Sequence, residues 1–283
     1  MTPLIAAAVL AAAVTHAGWN AIAHGIRDQL LAFTLVGVGD LLVVVVVACF
    51  VPVPAAAAWP WLMASVVLHV LYMVLLMQSF RLGDFGQMYP IARGTAPLVV
   101  TVLAMALVDE RPNAWQTAGV AVASAGLLGV ALWGVRSTGT RPHWPAIGAA
   151  GATGLAIAAY TVVDGIGVRA AGSTLGYTAW LLAFQSLPIP LYALATRRGR
   201  LLRQVRPVLA RGLLGGAMST VAYALVLWAQ TRAPLAPVAA LRESSVIAGA
   251  AIGALLFKER FGGPRIAAAA LMALGIGLML RGG

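Results

Sequence analysis

Ten stretches of about 20 mostly apolar residues, parted by clusters of Pro, Gly and Arg, leave this 283-residue chain little room for anything but helices that cross a bilayer. A hydrocarbon core of about 30 Å needs roughly 20 such residues per helix. The spans are expected near 3–24, 30–51, 59–80, 84–108 and 112–135, and again near 145–169, 173–196, 207–231, 234–257 and 263–281. Short loops join them, apart from the basic stretch 197–206. Only 10% of the residues are charged and 61% are hydrophobic, where a soluble chain carries about a quarter charged. That deficit excludes a cytosolic enzyme, a disordered tail and a nucleic-acid module. Cys49 is the only cysteine, so disulfides and thiolate metal sites are excluded as well. No basic residue precedes Arg27, and His16, Trp19 and Asn20 interrupt the first apolar run. That run is expected to be a retained helix rather than a cleaved signal peptide.

The chain repeats itself. Residues 88–111 align without gaps on 237–260 at an offset of 149, which lays Arg93 on Arg242, Glu110 on Glu259, Arg111 on Arg260 and Gly126 on Gly275. A looser offset near 144 lays His16 on Tyr160 and Asn20 on Asp164. Two units follow, 1–136 and 142–283, each of five helices. An odd number per unit makes the copies enter the membrane from opposite sides, the inverted-repeat plan of many secondary transporters.

The net charge of +11 is read as loop charge that sets orientation, not as a nucleic-acid surface. The odd-numbered loops hold 13 of the 19 Lys and Arg residues and the opposite side only Arg111, Arg169, Arg232 and Arg281. This bias puts the odd loops in the cytoplasm and both termini outside, in a plasma (inner) membrane.

Arg93 and Arg242 lie about 14 Å and 12 Å into their helices at about 1.5 Å per residue, so they converge near the midplane from opposite faces. An arginine there costs at least about 2.5–3.5 kcal/mol on insertion scales and normally faces water or a buried partner. Two readings stand side by side. In one, the guanidinium groups line a cavity and take a carboxylate or phosphonate. In the other, they pair with Asp40 and Glu243 and hold helices together. Glu243 directly follows Arg242, so regular helix geometry points the two about 100° apart, against a side-by-side pair. Glu243 and Asp40 are also the candidate proton-coupling carboxylates. His16, Asn20, His69, Tyr72, Tyr89, Tyr160 and Tyr223 surround the same depth as candidate substrate contacts. Ser65, Asp164 and Thr220 add to this polar ring. The His16 and His24 spacing lacks the carboxylate of a zincin, so no metal and no cofactor is expected.

The string GDFGQMYPIARGTAPL entering the fourth helix, ALRESSV in the ninth, and the Glu-Arg pairs ending both resemble the drug/metabolite transporter superfamily, closest to its ten-helix EamA-type branch. The resemblance covers almost the whole chain. It implies an all-α integral membrane protein of two five-helix inverted repeats that exports or exchanges small metabolites through a central cavity by alternating access. Matching positions are Tyr89, Pro90, Arg93, Pro97, Arg242, Glu243, Glu110 and Glu259. Members such as the aromatic amino-acid exporters keep both termini in the cytoplasm, opposite to the charge count here.

The leading expectation is therefore a secondary transporter of a small polar or anionic metabolite such as an amino acid, organic acid or phosphonate. A channel and a membrane-embedded enzyme are the alternatives; GxSxG, HExxH and dense carboxylate clusters are all missing from the sequence. The expected partners are the substrate and the lipid bilayer, with the chain a monomer or a homodimer.

Overall fold

The computed structural model describes residues 1–26, 28–82, 85–137, 143–197, 199–248 and 263–281. All regular structure in them is helical: α1 (Pro3–His24), α2 (Gln29–Ala48), α3 (Trp59–Leu82), α4 (Phe85–Leu107), α5 (Ala114–Ser137), α6 (Trp144–Ala170), α7 (Thr174–Gln185), α8 (Pro188–Arg197), α9 (Arg200–Val205), α10 (Leu209–Gln230), α11 (Leu235–Arg242) and α12 (Gly263–Arg281). Six helical stretches are long and apolar enough to cross a membrane among the described residues.

Local chemistry sets the ends. Pro3 opens α1 behind Thr2, whose hydroxyl accepts from the Ile5 N–H at 3.5 Å, and Ser173 caps α7 through the Gly176 N–H at 3.0 Å. Gly172, at φ +73°, makes the left-handed turn between α6 and α7 that disfavours any residue with a Cβ. Asp28 caps α2 by accepting from Leu31 N–H at 3.2 Å.

Three expected segments differ. The span 173–196 is two helices, because Pro188 lacks an N–H and excludes helical geometry just before it; α7 stops at Gln185 and α8 starts at Pro188. The span 234–257 is interrupted: α11 stops at Arg242, and helical geometry resumes only over 245–248. Between the two, Glu243 and Ser244 N–H donate to the carbonyls of Ala240 and Leu241, an i to i−3 pattern that tightens the backbone into a turn. Of that span, residues 249–257 lie outside the described residues. The basic stretch 197–206 contains the short helix α9 rather than a plain loop.

The polarity of the molecule is reversed from that of a soluble domain. Leu42, Val45 and Val46 on α2, Val67 and Leu71 on α3, and Val102 and Met105 on α4 are all exposed, while Arg93, Arg242, Glu243 and Asp164 are buried. Water would penalise that arrangement and lipid rewards it.

The helices interlock across the two halves. α1 packs on α10 and α11, α3 on α6 and α7, α4 on α6, α2 on α10, and α5 on α12. The α5–α12 crossing is backbone to backbone: a Cβ on Gly119 would stand 2.5 Å from the Gly275 carbonyl oxygen, and one on Gly275 2.6 Å from that of Gly119. At the end of α6, Arg169 meets Glu110 at 2.6 Å and donates to the carbonyls of Gln230 and Ala233 at 2.8 and 3.1 Å. Glu110 also accepts from Leu235 N–H at 2.6 Å, so one carboxylate caps α11 and ties it to the loop after α4.

At another helix end Arg197 forms a two-pronged pair with Asp28, with Nη2 to Oδ1 at 2.9 Å. The Arg197 guanidinium holds the Asp28 carboxyl below its ordinary value, aided by the Leu31 N–H. A carboxyl with a depressed folded-state pKa stabilises the fold above its unfolded value of about 3.9, and that contribution is lost as pH falls through the lower folded value. Arg197→Ala is therefore expected to flatten the acid limb of a melting-temperature profile below about pH 4. Parallel acid limbs in both proteins would contradict this.

Candidate functional site

α1, α2, α3, α4, α6, α7, α10 and α11 surround one cavity of about 140 Å³. It is small beside the roughly 300–1,000 Å³ of sites for drug-sized ligands. Arg93 reaches its wall from α4 and Arg242 from α11. They are 2% and 4% exposed, which fixes both guanidinium groups inside the protein.

Glu243 lies between them, 1% exposed and outside the cavity wall. It forms an ion pair with the Arg93 Nε, and its other oxygen stands 3.6 Å from the Arg242 Nε. The 100° separation expected of neighbouring helical residues fails because α11 ends at Arg242 and Glu243 sits in the turn, where its carboxylate can swing back. Each guanidinium also has a hydroxyl partner: Arg93 donates to Ser245 at 3.3 Å and Arg242 to Thr161 at 3.4 Å. Arg242 further lies over the Tyr160 ring at 5.8 Å. Two guanidinium groups share one carboxylate, so this corner of the cavity carries a net positive charge with all three groups ionised.

An aromatic wall continues from Tyr160. The His69 ring stacks on it at 4.0 Å, and Tyr72 meets it edge to face at 5.6 Å. Tyr223 meets His69 edge-on at 5.6 Å. All four line the cavity. The Ser65 carbonyl lies 2.9 Å from His69 Nδ1, which fits a proton on Nδ1 and an acceptor at Nε2. His16 also lines the cavity, its Nδ1 accepting from Trp19 Nε1 at 3.1 Å. Behind the wall Asp164, fully buried, accepts from Tyr177 at 3.0 Å and from Tyr223, which fixes the Tyr223 ring.

Seven of the nine expected substrate contacts thus line one cavity: Arg93, Arg242, His16, His69, Tyr72, Tyr160 and Tyr223. Asn20 does not; its amide donates to the His16 carbonyl of its own helix at 2.8 Å. The side chains of Tyr89 and His24 lie outside the described residues, as do Glu259, Gly249 and Gly253. Asp40 lines the cavity but is paired with neither arginine; its oxygens accept from Thr220 at 2.8 Å and Ser186 at 3.4 Å. Sequence reasoning missed Ser245, Thr161, Ser186 and Gln185. The proline pair at 188 and 190 was a usable signal for the last two, because it ends α7 beside them.

A bundle of apolar-faced helices around a charged, aromatic-walled central cavity fits a multi-pass membrane protein. Residues 144–281, just under half of the chain, match the model of the EamA-like transporter family, which makes that part similar to membrane transporters of the drug/metabolite kind. A solved structure described only as the crystal structure of a protein shares the fold at TM-score 0.70 and 17% identity, covering 99% of this chain and 96% of that one. At that identity the likeness bears on fold alone. No curated protein matches the chain.

Proposed function

We propose that the protein is a secondary active transporter, an exporter or exchanger, of a small polar or anionic metabolite that carries a carboxylate or phosphonate. The observation that carries this reading is the pair of buried guanidinium groups, one from each half of the chain, facing a single cavity with one carboxylate between them. In the empty site Glu243 neutralises the pair. An entering anion takes over part of that role by charge-assisted hydrogen bonds to Arg93 and Arg242, so an internal ion pair is exchanged for a substrate contact. Tyr160, Tyr72, Tyr223, His69 and His16 supply the shape and the remaining polar contacts. Glu243, released from full pairing, is the candidate proton carrier.

Alternating access needs two halves that rock about the site, and the packing supports ten helices in two inverted repeats. Positions 119 and 126 correspond at offset 149 to 268 and 275. Gly119 lies against Gly275, and Gly126 against the Ala268 carbonyl at 3.1 Å from a notional Cβ. Each position therefore meets the other's counterpart, the self-reciprocal contact that a two-fold axis generates. The cross-contacts of α1 with α10 and of α3 with α6 exchange with one another under the same relation. We place the odd-numbered loops in the cytoplasm of an inner membrane on the charge bias.

Counterflow in proteoliposomes tests the class. Saturable uptake of a labelled carboxylate or phosphonate, accelerated by unlabelled solute inside, is the expected result. An unsaturated current would mean a channel, and chemically altered solute an enzyme.

A further inference from the structure

The same cavity also carries a group of opposite charge. Asp40 on α2 is 5% exposed and lines the cavity. Its partners are neutral hydroxyls, Thr220 on α10 and Ser186 at the end of α7, and none of the ion pairs among the described residues includes it. A buried carboxylate with only neutral donors is costly unless a proton or another cation joins it. α7 ends at Gln185, so the negative end of a 12-residue helix lies at Ser186, a partner of Asp40. Gln185, in the last turn of α7, lines the cavity too, and its Oε1 is a buried acceptor with no partner among the described residues.

We propose that Asp40, Thr220, Ser186 and Gln185 form a site for a small monovalent cation: a coupling Na⁺ or K⁺, or the ammonium group of a zwitterionic substrate. All the donor atoms are oxygens, which suits a hard cation or an ammonium and excludes the nitrogen and sulfur preferences of zinc or copper. One carboxylate among neutral oxygens balances one positive charge, where calcium sites gather several carboxylates. The end of a discontinuous helix near mid-membrane is also the position at which transporters commonly coordinate a coupling ion. With Arg93 and Arg242 lining it as well, the cavity holds groups for an anion and for a cation within one small volume. This deepens the transport reading above, on which the role of the cation rests, though its binding does not.

Thermal unfolding of the purified protein in detergent, in NaCl, KCl or methylammonium chloride, tests the site. Ionic strength is held constant with N-methyl-D-glucamine chloride. The expected result is a saturable rise in melting temperature with at least one cation, lost in Asp40→Asn and weakened in Thr220→Val. Preference for Na⁺ or K⁺ identifies an inorganic coupling ion, and preference for methylammonium identifies the ammonium group of a substrate. Should Asp40→Asn not fold, Thr220→Val and Gln185→Leu carry the test. Identical melting in all salts, or an undiminished cation effect in the variants, overturns the site. A cation shift that persists where no anion binds to the arginines sinks the transport reading alone.

Discussion

Glu243→Gln is expected to tighten binding of a carboxylate- or phosphonate-bearing solute by about tenfold or more and to slow its release, so that counterflow falls while affinity rises. The carboxylate stands between Arg93 and Arg242, 3.6 Å from the latter, and competes with any incoming anion for both. Two unit charges at that separation interact by about 4–5 kcal/mol at an effective dielectric constant of 20. Only a part of that needs to return as affinity, since tenfold is about 1.4 kcal/mol. Glutamine keeps the shape and can still accept from a guanidinium, but leaves two buried positive charges uncompensated. The empty variant is therefore expected to melt earlier, at a cost of about 3–5 kcal/mol, with the loss recovered as anion is added. Calorimetric titration and melting in parallel check both halves. An unchanged dissociation constant would mean that Glu243 never competes with substrate.

The second large effect separates the two arginines. Arg93→Ala removes the closer partner of Glu243 and leaves that carboxylate, 1% exposed, with only its 3.6 Å contact to Arg242. This variant is therefore expected to lose up to about 3 kcal/mol of stability along with binding. Arg242→Ala leaves the Arg93–Glu243 pair whole and removes contacts to Thr161 and Tyr160. It is expected to remain folded and monodisperse while its affinity for the anion drops about 100-fold, the loss of a buried charge-assisted contact of roughly 2–3 kcal/mol. Size-exclusion profiles and titrations of the two variants distinguish the outcomes. Equal destabilisation of both, with binding retained in whichever folds, would reduce the arginines to structural struts.

Much of this architecture was legible from hydropathy because a membrane span has a fixed length and a nearly uniform composition. The expected spans 3–24 and 263–281 coincide closely with α1 (Pro3–His24) and α12 (Gly263–Arg281). Hydropathy is blind to where an apolar helix breaks, so the interruptions after Gln185 and Arg242 were not anticipated. Yet those breaks place Ser186 beside Asp40 and return Glu243 toward its own neighbour Arg242. The arginines and the aromatic wall stood out because charges and rings are rare at such depth. Thr161 and Ser245 did not, since a hydroxyl in a helix usually bonds its own backbone; Thr161 does so too, donating to the Ile157 carbonyl at 2.6 Å while receiving from Arg242. Asn20 shows the converse, a polar side chain on a suitable face that folds back onto its own helix.

The most direct measurement is a calorimetric titration of small carboxylates and phosphonates, each paired with its neutral amide or ester, against the unmodified protein and Arg242→Ala. The account predicts that at least one anion binds the unmodified protein, that its neutral counterpart does not, and that Arg242→Ala abolishes the heat while staying folded. Binding that ignores the charge of the solute, or that survives intact without Arg242, would contradict it.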